Sequence, residues 1–208
     1  MKVLMLNGSP HKNGCTYTAL MEVAGALHQE GIETELLQIG GDVVGGCIGC
    51  GGCRKIGRCI FNDDKVNQAV ELMKESDGLV VGSPVHYASA GGTITSFLDR
   101  LFYCGGQYAI HKPGAAIASA RRAGTTATLD QLNKYFMISQ MPVVSSQYWN
   151  MVHGSSPEEV RMDEEGMQVM QVLGRNMAWM LKCIEAGRMA GIQPPKAQEE
   201  RKRTNFIR

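Results

Sequence analysis

The sequence predicts an α/β fold of three layers, with a five-stranded parallel sheet between two layers of helices. Three observations predict it. Short apolar runs alternate with helix-like stretches along the chain, and right-handed crossovers between parallel strands place such helices on both faces of the sheet. Several of the runs are continuously apolar, as strands buried on both faces must be. The 208 residues, 44% hydrophobic and 20% charged, suit one core rather than two.

The elements follow in order. Lys2 to Leu6 is a buried strand stopped by Asn7-Gly8-Ser9-Pro10. From Thr16 to Glu30, Leu20, Val23, Ala24 and Leu27 recur at helical spacing and Gly31 supplies a stop. Glu33 to Ile39 reads as the second strand. Residues 40–64 are glycine-rich, hold four cysteines and show no period, which marks an ordered loop built around something. Asp63 or Asp64 caps a helix from Lys65 to about Glu75. Gly78 to Gly82 is the third strand, Thr93 to Tyr103 an amphipathic helix, and Ala115 to Ala118 the fourth strand. Gly124 to Ser139 reads as a helix and Pro142 to Ser146 as the fifth strand. From Pro157 to Ala186, Val160, Val169, Val172, Leu173, Met177, Met180, Leu181 and Ile184 form one long helical stripe, a core or subunit packing face rather than a ligand box. Residues 1–187 then form one domain and 188–208 an extended tail.

Composition excludes some classes of partner. The formal net charge of +1 creates no field for nucleic acid or a membrane surface, and Arg201, Lys202, Arg203 and Arg208 make only the tail basic. No apolar run approaches the roughly 20 residues of a membrane helix, and Met1 leads straight into a strand, so the expectation is a cytoplasmic protein. Seven cysteines, four of them between Cys47 and Cys59, suit a reducing compartment and metal or redox work.

In such a sheet a ligand lies beyond the carboxyl ends of the strands, where three loops gather: residues 8–16, 83–92 and 119–125. The first runs from a strand into a helix N-terminus, whose unpaired amides and positive dipole end stabilise an anion. Ser9 and Thr16 offer hydroxyls, Asn13 an amide, Gly14 close backbone approach, and His11 or Lys12 charge. Five residues separate Gly8 from Gly14 and Cys15 follows where a lysine is needed, so a Walker A loop is excluded; G-x-G-x-x-G is absent as well. The plainer alternative is a Ser-Pro turn that merely starts a helix.

The run G-S-P-x-K-N-G-x-T after a first strand resembles the NADPH-dependent FMN reductase group of flavodoxin-like proteins. That resemblance implies a flavodoxin-like three-layer sandwich holding FMN by its phosphate at Ser9, His11, Asn13, Gly14, Cys15 and Thr16. It implies a second flavin loop at Pro84, Val85, His86, Tyr87 and Ser89, with His86 standing where a tyrosine is common. Ala120, Arg121, Arg122 and Gly124 occupy the third loop. There the arginine pair either stabilises an anionic reduced flavin or makes surface or dimer salt bridges. Asp99-Arg100 echoes the same group, and a helix-end ion pair is the expected role for both. Cys15 at a helix start has reason for a lowered pKa, but packing beside the cofactor is the expected role.

Cys47-x2-Cys50-x2-Cys53-x5-Cys59 places four thiols within thirteen residues. The C-x2-C-x2-C spacing favours iron and sulfide over the longer spacers of zinc sites; reduced thiols, a disulfide and zinc are the other readings. The pattern resembles the iron-sulfur flavoproteins, which implies one [4Fe-4S] cluster beside FMN and a homo-oligomer, at least a homodimer. The aromatic stretch Tyr148-Trp149 would then serve the subunit interface, with core burial as the plainer alternative. NAD(P)H or a ferredoxin-like carrier would supply electrons, and a quinone, free flavin or similar small molecule would accept them. A non-enzymatic flavodoxin-type carrier is the alternative.

Overall fold

The computed structural model describes residues 1–195 together with Thr204 and Phe206; the basic residues Arg201, Lys202, Arg203 and Arg208 lie outside the described residues. A parallel sheet carries the order β2-β1-β3-β5-β6. Its strands are β1 (Lys2–Asn7), β2 (Glu33–Gln38), β3 (Gly78–His86), β5 (Gly114–Ala120) and β6 (Met151–His153). A two-residue β4 (Ser89–Ala90) folds back antiparallel on the end of β3.

The strand residues alternate between two cores, as the period of a pleated strand requires. Val3 and Met5 face one layer with Val80, Ala115 and Ile117, where α1 (Cys15–Gln29), α6 (Pro157–Met162) and α7 (Glu164–Met189) pack. Leu4 and Leu6 face the other with Leu79, Val81, Ala116 and Ala118. That second core is closed by α3 (Val66–Glu75), α4 (Gly92–Gly105) and α5 (Thr125–Ile138), while α2 (Cys53–Ile56) is one short turn inside the cysteine loop. Helix α7 crosses α1 at Gly174, where a Cβ would stand 2.6 Å from the Ala26 Cβ, so glycine permits the close approach.

Three expectations need correction. The fifth strand is Met151–His153, not Pro142 to Ser146. The earlier segment starts along β5, with Gly114 N donating to Pro142 O and Val144 N to Gly114 O, and then leaves the sheet. Asn150 pins the excursion by accepting from Ser146 N and donating to Val144 O, and its carbonyl accepts from Ala118 N as the chain returns. The long carboxyl-terminal stripe is two helices, broken at Asp163, whose side chain accepts from Gly166 N and His153 N. Gly187 does not end α7, which runs on to Met189.

Candidate functional site: three loops and a cysteine pocket

The first loop joins β1 to α1, and its backbone is braced from beneath. Gly8 N donates to Gly82 O at 2.8 Å, Ser9 N to Asn7 Oδ1 at 3.1 Å, and Gln38 Nε2 to Ser9 O at 2.6 Å. Asn7 Nδ2 donates to Gln38 Oε1 at 2.7 Å, so two strand-end amides lock each other under the loop. Gly40 crosses so close that a Cβ there would stand 2.1 Å from Gly8 O. The loop is therefore rigid before any ligand arrives.

Gly14 caps α1 with no side chain, and the first bond of the helical ladder shown here is Thr18 N to Gly14 O at 3.0 Å. The amides of Cys15, Thr16 and Tyr17 precede that ladder and form the donor set an anion needs at a positive dipole end. Ser9 is buried and its Oγ accepts from His11 N, leaving its own hydrogen to give. Thr16 is buried as well, its hydroxyl 2.7 Å from that of Ser119. One of these two hydroxyls donates to the other, and the second keeps a hydrogen. His11, Lys12 and Asn13 stand exposed on the rim. Cys15 leans on Gly154 O, and burial, with Glu159 and Glu158 near, pushes its thiol up rather than down, which suits a packing role.

The second loop is a hairpin, since β3 continues to His86 and β4 pairs Val85 with Ala90 and His86 with Ser89. The chain turns at Tyr87, a non-glycine residue at φ 61° whose ring is wholly exposed. The His86 ring packs over Gly91, and Ser83 Oγ accepts from Gly91 N. Pro84, Val85 and Ser89 are half-buried.

The third loop ends at Gly124, φ 91°, which caps α5; a Cβ there would meet Val85 Cγ1 at 2.6 Å. Loops two and three thus touch through Val85 and Gly124, and loops one and three through Thr16 and Ser119. Ala120 is buried, while Arg121 and Arg122 are exposed, and no carboxylate among the described residues lies within 4.0 Å of either guanidinium. Both are available to a bound anion or a second subunit.

The residues 47–61 wall a cavity of about 170 Å³ against α4, lined by all four cysteines together with Cys104, Tyr103, Phe61 and Arg100. Two cysteines are anchored. Cys59 N donates to Asn67 Oδ1 at 2.8 Å, Asn67 Nδ2 donates back to Cys59 O, and Cys53 Sγ donates to Tyr103 O. Cys47 and Cys50 ride an exposed glycine-rich arm whose Gly49 and Gly51 hold φ 66° and 70°. Among the described residues no three of these side chains stand close enough together to hold a metal ion. The donor set still fits an iron–sulfur group: four thiols on one cavity, apolar walls and a buried cation bonded to a sulfur.

Arg100 and Asp99 are not the ion pair expected of them. The Arg100 guanidinium is buried and pairs with Asp64, which also accepts from Val66 N; the cap position of α3 is Lys65, not Asp63 or Asp64 as expected. Asp99 accepts from Tyr135 OH at 2.6 Å instead. His153 contacts Asp163, and Tyr148 and Trp149 form an exposed edge-to-face pair rather than core. Sequence reasoning missed Asn7, Gln38, Asn67 and Ser119 as supports of the two pockets.

The sequence profile described as NADPH-dependent FMN reductase matches residues 1–156. The chain belongs to the NADPH-dependent FMN reductase family. It is an FMN-dependent oxidoreductase related to the iron-sulfur flavoproteins. An iron-sulfur flavoprotein of Methanocaldococcus jannaschii is 32% identical over 89% of this chain and 100% of its own length. One from Methanosarcina thermophila is 28% identical over 90% of this chain and 99% of its own. Among solved structures, RosB with a bound 8-demethyl-8-formylriboflavin-5'-phosphate intermediate superposes with TM-score 0.71 at 14% identity, covering 100% of this chain and 95% of that one, a likeness of fold. No described helix is long and apolar enough to cross a membrane.

Proposed function

We propose that this member of the FMN reductase family works as an iron-sulfur flavoprotein, oxidising NAD(P)H and moving electrons between FMN and a [4Fe-4S] cluster on Cys47, Cys50, Cys53 and Cys59. The observation that carries the reading is the cysteine cavity itself, packed along the helix that starts at the second flavin loop. Four thiols at this spacing line one cavity, and a buried guanidinium bonds one of the sulfurs, which suits an iron–sulfur group.

Bound FMN supplies hydride and single-electron chemistry, and the chain positions and tunes it. The Cys15 to Tyr17 amides with Ser9, His11, Asn13, Gly14 and the Thr16–Ser119 hydroxyl pair would hold its phosphate. Pro84, Val85, His86, Tyr87 and Ser89 would supply the second loop of the pocket. Ala120, Arg121, Arg122 and Gly124 would supply the third, where the two arginines would offer positive charge to a reduced flavin. Exposed Tyr148 and Trp149 supply area for a homodimer or larger homo-oligomer, in which a neighbour helps to close the flavin pocket. A quinone, a free flavin or a ferredoxin-like carrier completes the electron path. Residues 1–187 form the working domain, and cysteines kept reduced for a cluster suit a cytoplasmic setting.

The test is anaerobic purification followed by iron, sulfide, zinc and flavin analysis. Four irons and four sulfides per FMN are expected. Replacing Cys59 by serine is expected to abolish iron and leave FMN in place. Iron-free protein with full FMN and steady NAD(P)H oxidation would overturn the cluster and keep the reductase.

A further inference from the structure

The Arg100 side chain is 2% exposed and that of Asp64 is 5% exposed. A guanidinium has five N–H donors in a fixed fork, and here all five have an acceptor. Nη1 gives to Asp64 Oδ2 and Gly45 O, Nη2 to Asp64 Oδ1 and the Cys59 sulfur, and Nε to that sulfur again, both sulfur contacts at 3.3 Å. The Phe61 ring lies 5.1 Å from the guanidinium carbon and covers its face. Asp64 thus grips the end of the fork and fixes its plane, while the side edge is delivered to Cys59.

A neutral thiol is a weak acceptor, and two charged donors converging on one sulfur suit a sulfur that carries negative charge. The backbone of the same cysteine is held separately by Asn67, so Arg100 is not needed to place the loop there. Its contact with the sulfur needs another purpose.

We propose that Arg100 is a positioning residue that sets the reduction potential of the cluster on the cysteine loop, through its two hydrogen bonds to the Cys59 sulfur. This rests on the cluster reading above. Adding one electron makes the cluster and its sulfurs more negative, and charged donors on a ligand sulfur stabilise that reduced form, so the potential rises. No proton leaves Arg100, whose guanidinium stays charged in both states. Burial of the pair keeps salt and solvent from screening the effect.

Removing Arg100 alone would strand the Asp64 charge, so the informative variants are Arg100→Met combined with Asp64→Asn, which keeps an acceptor for Val66 N, and Arg100→Lys, which keeps charge but loses the fork. Iron, sulfide and FMN contents are measured first, and then the cluster potential by redox titration followed by electron paramagnetic resonance. With iron retained, the reduced-to-oxidised ratio at a fixed solution potential is expected to fall about tenfold in the double variant, about 59 mV for a one-electron couple. The lysine variant is expected to fall in between, with the flavin potential unchanged in both. Potentials equal to that of the unaltered protein overturn the proposal. Loss of iron from both variants with FMN retained also overturns it, since Arg100 is then only a structural support. Absence of iron and sulfide from the unaltered protein is a different result, which removes the cluster reading and this proposal with it.

Discussion

The hydroxyls of Thr16 and Ser119 meet at 2.7 Å although 103 residues separate them, and both are buried. This contact ties the phosphate loop to the loop that carries Arg121 and Arg122, so a change at one is felt at the other. Ser119→Ala strands the Thr16 hydroxyl, and a stranded buried polar group costs about 1–3 kcal/mol. Urea unfolding is expected to read that loss, and flavin-fluorescence titration an FMN affinity lower by about tenfold. Pairing it with Thr16→Val is expected to restore most of the stability and none of the affinity.

Gly40 lies against the backbone of Gly8 and Ser9, where nothing can yield by a rotamer change. Gly40→Ala must therefore push the phosphate loop away from Gln38 and Asn7. Overpacking of this kind costs about 1–3 kcal/mol, and FMN release is expected to accelerate in stopped-flow measurements.

Tyr87 holds a left-handed backbone at the hairpin tip with its ring fully in solvent. A non-glycine residue in that region stores about 1 kcal/mol or more, which is retained at sites of function. Tyr87→Gly is expected to raise the midpoint of chemical unfolding in flavin-free protein while weakening FMN binding. Unchanged affinity would remove Tyr87 from the flavin site.

Cys104 is buried near the end of α4, its thiol donating to Arg100 O one turn back, and burial pushes its pKa from 9.0 up to about 11. Between those values the unfolded chain has lost the proton that the folded chain keeps, so the native state is the one that binds more protons. Stability is then fully present below about pH 9 and falls as pH rises towards about 11. Urea midpoints measured across that range are expected to show the decline, and Cys104→Ala to flatten it.

The central strands were legible because Val3 to Leu6, Leu79 to Val81 and Ala115 to Ala118 are buried on both faces and so are apolar at every position. The last strand was not. Met151–His153 has three residues and no period to read, and its place depends on Asn150, whose bonds reach across a turn. The phosphate loop was legible from its own residues, whereas its braces were not, since Asn7 and Gln38 are ordinary polar residues whose partners come only from tertiary structure. The pairing of Asp99 with Arg100 failed for a geometric reason: successive helix positions turn by about 100°, which sends neighbours to different faces.

Helix α4 begins directly after the β3–β4 hairpin, and Arg100 lies eight residues beyond Gly92. At 1.5 Å per residue the hairpin end and the Arg100 backbone are about 12 Å apart along a hydrogen-bonded rod. A rod of that kind acts as a ruler between the second loop and the cysteine cavity. Their spacing is set by a count of residues and not by the posture of a loop, and one added turn would lengthen the gap by about 5.4 Å. With FMN and a cluster bound as proposed, the length of this one helix would enter the distance that electrons cross between them.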